Sequence, residues 1–238
     1  MKYLAVSLAC FVLALAGCQS HPPRQDSAAE RSIRPGVNEA YLRPGLKVEE
    51  WVGRLEREGR ETYDKRHEIG AAARLKPGQD VADIGTGTGL FVPLLAQAVG
   101  PEGTIYAVDI VPRFVEHVRE KAAGAGLENV EVVLSSERSV ELPPRSIDLA
   151  FLCDVYHHFE YPQSTLASIH RALRPDGEFF LVDFKREPGV TSEWSLEHVR
   201  AGMEEFISEI EAAGFEKVEQ DAEMMTENYI VRFRKASQ

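Results

Sequence analysis

The chain has 238 residues, 44% hydrophobic and 27% charged, which suits one α/β domain with a real core plus short extensions and is too short for two full domains. Its formal net charge of -11 repels phosphate backbones, and no Lys/Arg run offsets it, so nucleic acid is excluded as a general partner. The one basic stretch, Arg232 to Lys235, reads as the end of a final strand.

The N-terminus does not belong to the fold. Lys2 gives a short positive start, and Tyr3 to Ala16 is almost continuously apolar. That run is shorter than the roughly 20 residues a spanning helix needs and fits a secretory signal. Leu15-Ala16-Gly17-Cys18 resembles the lipobox of bacterial lipoproteins. The resemblance implies a signal peptide over 1–17, lipidation of Cys18, and a membrane-anchored protein facing the periplasm or exterior. An uncleaved anchor or a misplaced start codon is the alternative, and a misread signal would leave the chain cytoplasmic. Cys10 would depart with the signal, so Cys153 is left as a lone thiol and no internal disulfide is expected. Residues 18–45 read as a flexible tether, rich in Ser, Pro, Arg and Gln and punctuated by Pro35-Gly36 and Pro44-Gly45.

Residues 46–76 form an expected N-terminal helical cap. Trp51, Leu55, Tyr63 and Ile69 recur among charges over Val48 to Leu75, with a break near Gly53 or Gly59, and Trp51 and Tyr63 either cover the cleft or pack on the sheet edge. The pattern then alternates through 77–238. Strands are expected at Asp80–Ile84, Thr104–Ile110, Val130–Leu134, Ile147–Val155 and Glu178–Phe184. Helices are expected at Leu90–Val99, Pro112–Ala125, Gln163–Leu173 and Leu196–Ala213, with a turn at Pro175-Asp176-Gly177. Phe215–Gln220 and Asn228–Phe233 close the chain as a hairpin. Strand–helix alternation predicts a Rossmann-like α/β fold: a seven-stranded, mostly parallel sheet with an antiparallel C-terminal hairpin and helices on both faces.

The stretch that carries chemistry is Asp83-Ile84-Gly85-Thr86-Gly87-Thr88-Gly89, which ends the first strand and opens a helix. Alternate glycines turn the chain tightly and bring backbone amides to a ligand. A dinucleotide fingerprint needs a third glycine one place later, where this chain has Leu90. An acid two residues ahead of the glycines suits a ligand with an ammonium group better than a pyrophosphate. Asp109, at the end of the next strand, is placed to accept from both ribose hydroxyls, or else caps the following helix.

Together with Asp148 to Phe159 and Leu173-Arg174-Pro175-Asp176-Gly177, these motifs resemble those of class I S-adenosylmethionine-dependent methyltransferases. The likeness covers about residues 75–185 and is greatest to the small-molecule branch that includes the ubiquinone and menaquinone C-methyltransferases. The resemblance implies S-adenosyl-L-methionine as cofactor. It puts Gly85, Thr86, Gly87, Thr88 and Gly89 along the methionine part, with Asp83 near its amino group. It puts Asp109 on ribose, Ile110 against adenine, and Asp154 where the site closes. Many relatives carry Asp at the position of Ser136; here the serine hydroxyl, or Glu137 beside it, is left to meet the adenine amino group.

Tyr156-His157-His158 follows Asp154 and supplies the candidate catalytic groups, a histidine base first among them, with a structural role in the loop as the alternative. Adjacent histidines seldom converge on one ion, and no Cys or His partner lies at ligand spacing, so no metal is expected. Trp194, on a polar loop, either meets an apolar acceptor or packs. The expected activity is methyl transfer to a small-molecule acceptor, with quinone- or lipid-like molecules suggested by the anchor. S-adenosylmethionine is made inside the cell, whereas a lipobox directs the domain outside. A non-catalytic cofactor- or nucleoside-binding lipoprotein is therefore the second reading, and an NAD(P)-dependent Rossmann enzyme the third.

Overall fold

The structure, a computed structural model, describes residues 30–236. The expected signal peptide, Cys10, Cys18 and the first part of the tether lie outside the described residues.

The sheet has seven strands in the order β3-β2-β1-β4-β5-β7-β6. They are β1 (Val81–Ile84), β2 (Ile105–Asp109), β3 (Val130–Leu134), β4 (Ile147–Cys153), β5 (Leu173–Phe184), β6 (Phe215–Asp221) and β7 (Asn228–Lys235). The first five pair in parallel, and β7 runs antiparallel to both β5 and β6, the helix-free connection from β6 to β7 allowing that pair to form a hairpin. Every residue of β1 is buried, because the strand is central and covered on both faces. Chain order reverses between β1 and β4, and the crevice at the carboxyl ends of the strands there is where such sheets take ligands.

Side-chain alternation sorts the core into two layers. Ala82, Ile84, Val108 and Leu152 face Leu166, Ile169 and Ile210. These come from α7 (Pro162–Ala172) and α9 (Met203–Ala212). Val81, Ile105 and Phe151 face Ile69, Leu95 and Val99. These come from α4 (Arg66–Ala72) and α5 (Val92–Val99). Beside them, α6 (Pro112–Gly124) buries Val118 against Ala107 of β2.

Several expectations change in detail. The helical cap is broken into α2 (Val48–Leu55), α3 (Glu61–Asp64) and α4, with Gly59 at φ +82° in the gap. Residues 30–45, read as part of a flexible tether, are docked on the domain and include α1 (Glu39–Leu42). Glu30 accepts from the Gln163 and Ser164 amides at the start of α7 (2.9 and 2.8 Å), a carboxylate cap on orphan helix donors. Ser32 and the Gly36 amide both donate to Glu160 (2.7 and 3.0 Å). The expected helix Leu196–Ala213 is two, α8 (Glu193–His198) and α9. Between them Val199 and Ala201 are pulled into the core while Arg200 pairs with Glu209 at 2.8 Å. The expected turn at Pro175-Asp176-Gly177 is a bulge inside β5: Leu173 pairs with Ile147, and pairing resumes only at Glu178 with Leu149. Arg174 fixes it by spanning Asp80 and Asp148, both at 2.8 Å. Among the described residues no helix is long and apolar enough to cross a membrane.

Candidate active site

A cleft of about 1110 Å³, including its open mouth, lies over the carboxyl ends of β1, β2 and β4. Its floor is the loop after β1. Gly85 has φ +70°, and a Cβ there would come within 2.1 Å of Val155 Cγ2, so only glycine fits. The Gly87 amide donates to Asp109 Oδ2 at 2.8 Å, and Asp109 Oδ1 accepts from the Val111 amide at 2.8 Å. Asp109 therefore joins the ends of two neighbouring strands, and each carboxylate oxygen keeps a lone pair for a ligand. Lys121 holds the loop from behind, donating to Thr88 O (3.1 Å) and pairing with Glu56 (2.9 Å).

Burial pushes Asp83 up to about 7; the Thr86 hydroxyl, donating at 2.7 Å, works the other way and Asp109 adds to the rise. Burial also lifts Asp109 to about 6, against the pull of three backbone hydrogen bonds. Such carboxyls gain from a ligand that brings an ammonium or hydroxyl donors. Thr88 Oγ1 is buried and has no partner among the described residues, though it lines the cleft. An unmade hydrogen bond at a buried hydroxyl is costly, and a ligand carboxylate would supply it.

The walls come from other elements. Ile110, Val111, Phe114 and Val140 make an apolar slot beside Ser136 and Glu137. The resemblance places adenine there, and Ser136 and Glu137 both line that end. Asp154 lines the cleft too, but its oxygens are engaged. Oδ2 accepts from Arg60 (2.6 Å) and Thr62 (3.0 Å), and Oδ1 from Asn228 (2.6 Å). The residue sits at φ +55°, and burial raises its pKa although Arg60 opposes the rise. Asp154 thus bolts the cap to the sheet and closes the cleft through that bolt. Cys153 is a free thiol in the same wall, and burial raises its pKa well above the ordinary value, so it is no ready nucleophile.

The three candidate catalytic residues separate. Tyr156 is not in the cleft: it is fully buried, with its hydroxyl donating to Glu209 at 2.8 Å. Burial and Glu209 push its pKa far up, so it is a core residue and no acid–base group. His157 is also buried and bonds through Nδ1 to Asp183 at 2.8 Å. Only His158 reaches the cleft, where its ring meets Tyr41 edge-on at 5.2 Å. Burial drives its pKa well below the usual range, with His157 and His198 adding to the effect.

The expectation that the tandem histidines lack a third partner needs correction. The short helix α8 brings His198 against them, with its Nε2 3.2 Å from His158 Nε2. Trp194 lies 61% exposed, stacks on His198 with ring centroids 4.4 Å apart, and is not among the residues lining the cleft.

Trp51 packs on Tyr41 (4.4 Å) and Phe114 (6.3 Å), behind the cleft and not in its lining. Tyr63 packs under Arg66. The residues ahead of β1 that do line the cleft are Leu55 and Arg60 of the cap and Asn38 and Tyr41 of the docked segment before it. No motif marks them, because they arrive from a non-repeating N-terminal segment; the cluster of Trp51 with helical spacing was the nearest signal.

Residues 82–181 match the family described as "Methyltransferase domain". An arsenite methyltransferase of Halobacterium salinarum is 32% identical over 113 residues, 48% of this chain and 29% of that protein. A ubiquinone/menaquinone biosynthesis C-methyltransferase of Cupriavidus metallidurans is 26% identical over 116 residues, 49% of this chain and 47% of that protein. The chain thus spans less than half the length of these curated relatives. A crystal structure described as a SAM-dependent methyltransferase from Aquifex aeolicus superposes with a TM-score of 0.72 at 27% identity, over 80% of this chain and all of that one. The fold is the Rossmann-like methyltransferase fold. The matched segment is similar to class I methyltransferase domains, and the cleft residues fit S-adenosylmethionine, the cofactor such domains use.

Proposed function

We propose that this chain, with its class I methyltransferase domain over residues 82–181, is an enzyme that moves a methyl group from S-adenosylmethionine to a small-molecule acceptor. The observation that carries the reading is the joint between the glycine loop and Asp109. The Gly87 amide is held by the same carboxylate that faces the ribose position, and both border an apolar slot. When bound, the cofactor supplies a methyl group already activated on a sulfonium, so little acid–base work falls to the protein.

The chain's residues bind, orient and exclude water. Asp83 and Thr88 take the charged amino-acid end, Asp109 holds the ribose, and Ile110, Phe114 and Val140 desolvate the base. The other end of the cleft, walled by Tyr41, Val155, His158 and Phe159, takes the acceptor. With its pKa depressed, His158 is a neutral hydrogen-bonding group and a poor base. The favoured acceptor is therefore one that is nucleophilic at neutral pH by itself: a phenolate or enolate, a thiolate, or a soft oxyanion.

The membrane placement is part of the same reading. Leu15-Ala16-Gly17-Cys18 supports lipidation at Cys18 and a domain held at a bilayer, where quinone- or lipid-like acceptors reside. Loss of membrane association in a Cys18→Ser chain, and of incorporated labelled fatty acid, would support it; an unchanged distribution would reject it.

The activity is tested by incubating the protein with methyl-labelled S-adenosylmethionine and a panel of quinol, phenol, thiol and amine acceptors. Label transfer with S-adenosylhomocysteine release is expected for one nucleophilic class. Tight cofactor binding with no transfer to any class would leave the non-catalytic binding lipoprotein, and binding of NAD in place of S-adenosylmethionine would overturn both.

A further inference from the structure

A histidine trio borders the acceptor end of the cleft, with His157 and His158 following β4 and His198 ending α8. One ring nitrogen each of His157, His158 and His198 lies within 4.8 Å of the other two. Their ring centroids are 4.4 to 5.2 Å apart. Three imidazoles from two separate elements do not converge by helical or strand periodicity. The first two follow β4 in sequence and the third comes from α8, some 40 residues on.

Hydrogen bonding alone does not account for the trio. Asp183 takes the Nδ1 side of His157, which leaves that ring Nε2. His158 and His198 meet through their Nε2 atoms, and a single proton can serve that contact. His158 Nδ1 remains buried without a partner among the described residues. Three buried or half-buried rings thus hold more nitrogen lone pairs than the surroundings can satisfy.

The geometry points to a three-histidine site for a zinc-class transition-metal dication, formed by His157, His158 and His198. Two ligands on a tetrahedral zinc with bonds of about 2.0–2.1 Å stand about 3.3 Å apart. The His158–His198 nitrogen separation of 3.2 Å matches that edge. Asp183 on the far nitrogen of His157 is the carboxylate that typically orients a metal-bound imidazole and raises its basicity. Arg34 lies close by, donating to the carbonyls of Glu197 and His198, while Asp183 places a carboxylate against His157. His158 also lines the cleft, so an ion held there sits in the wall of the acceptor end. Three protein ligands leave a position for water or for a substrate heteroatom. The site does not depend on the methyltransferase reading, since none of its three ligands is proposed to hold the cofactor.

Trp194, stacked on His198, is a built-in reporter. The test uses the full chain without an affinity tag, stripped by chelator and titrated with cobalt(II). Expected are one equivalent bound, the intense visible bands of tetrahedral cobalt, and quenching of Trp194. His198→Ala and His198→Gln should each weaken cobalt binding more than tenfold and abolish the bands, with unchanged thermal melts because His198 is only half-buried on a short helix. Trp194→Phe should lose the quenching and keep the bands. No stoichiometric binding, or binding that the His198 variants leave intact, overturns the site. Cofactor titration of the same samples stays independent, so failure here and failure of the methyltransferase reading are separately visible.

Discussion

Asp109 accepts the Gly87 amide at 2.8 Å, so the carboxylate we propose to hold the cofactor ribose also sets the shape of the loop proposed to cradle the methionine part. The two halves of the cofactor site are mechanically one. Asp109→Ala should therefore cost more than its ribose contacts. Losing hydrogen bonds to a charged group is worth about 1.5–3 kcal/mol each. We expect S-adenosylhomocysteine to bind on the order of a hundredfold more weakly by calorimetry, with most of that loss recovered in Asp109→Glu only if the loop contact re-forms. Unchanged affinity in Asp109→Ala would remove Asp109 from the site.

The same pair of acids makes binding depend on pH. Asp83 titrates at about 7 and Asp109 at about 6 in the free protein, both raised chiefly by burial. A carboxyl whose folded value is raised takes up a proton on folding between about 3.8 and that value. The free domain is accordingly favoured at the acid end of that window, and loses this contribution as pH climbs to about 7. The cofactor acts in the opposite sense. Its ammonium and ribose hydroxyls favour the ionised acids, so binding expels protons. Affinity for S-adenosylhomocysteine should rise by on the order of tenfold or more from pH 5.5 to 7.5. A flat profile, or no proton release when the buffer is varied, would show that the acids are already ionised.

How much of this was readable in the chain differs by element. The glycine loop, the strand end at Asp109 and the alternation of strands with helices were legible because their signals are local: a strand, then alternate glycines, then an acid at the next strand end. The final hairpin was legible for the same reason, as two strands with no helix between. The break at Val199–Gly202 was not, because it is set by Val199 and Ala201 sinking into a core built from distant strands. The bulge in β5 was read as a turn, since Pro-Asp-Gly is turn chemistry and only Arg174 reaching to Asp80 and Asp148 keeps the strand going. Docking of 30–45 was hidden because it rests on polar contacts to Glu160 and α7, with little apolar periodicity to reveal it. His198 joined the tandem histidines only through tertiary packing, which spacing along the chain does not encode.

Gly85 separates two costs that are usually confounded. Alanine there meets Val155 at 2.1 Å and must hold φ +70°. Gly126 has a similar φ of +67° with nothing within 4 Å of a Cβ. Gly126→Ala should cost about 1 kcal/mol, the penalty for a left-handed residue. Gly85→Ala should cost about 3 kcal/mol by denaturant melts, since overpacking adds to the strain. Adding Val155→Ala to Gly85→Ala should restore part of the difference. If the two glycine variants melt alike, the close approach of Val155 is not what reserves position 85 for glycine.

Arg60 tests how the cap is fastened. Its guanidinium lies 2.6 Å from Asp154, whose side chain is only 4% exposed, while Arg60 itself is 21% exposed. Arg60 Nη1 also donates to Leu55 O at 2.9 Å, so one residue joins the end of α2 to the sheet. Removing it leaves a buried carboxylate with only Thr62 and Asn228. Breaking a buried pair from one side typically costs 3–5 kcal/mol, and the partial exposure of Arg60 brings the expectation for Arg60→Ala to about 2–3 kcal/mol at neutral pH. The loss should be smaller near pH 5. Asp154 already has a raised pKa, and without Arg60 it rises further, so at low pH the group is protonated and needs no counter-charge. Denaturant melts of the wild type and Arg60→Ala at pH 5 and pH 8 should show the gap widening with pH. An equal gap at both would mean that Arg60 acts through its contact with Leu55 and its packing, and that the ion pair does not fasten the cap.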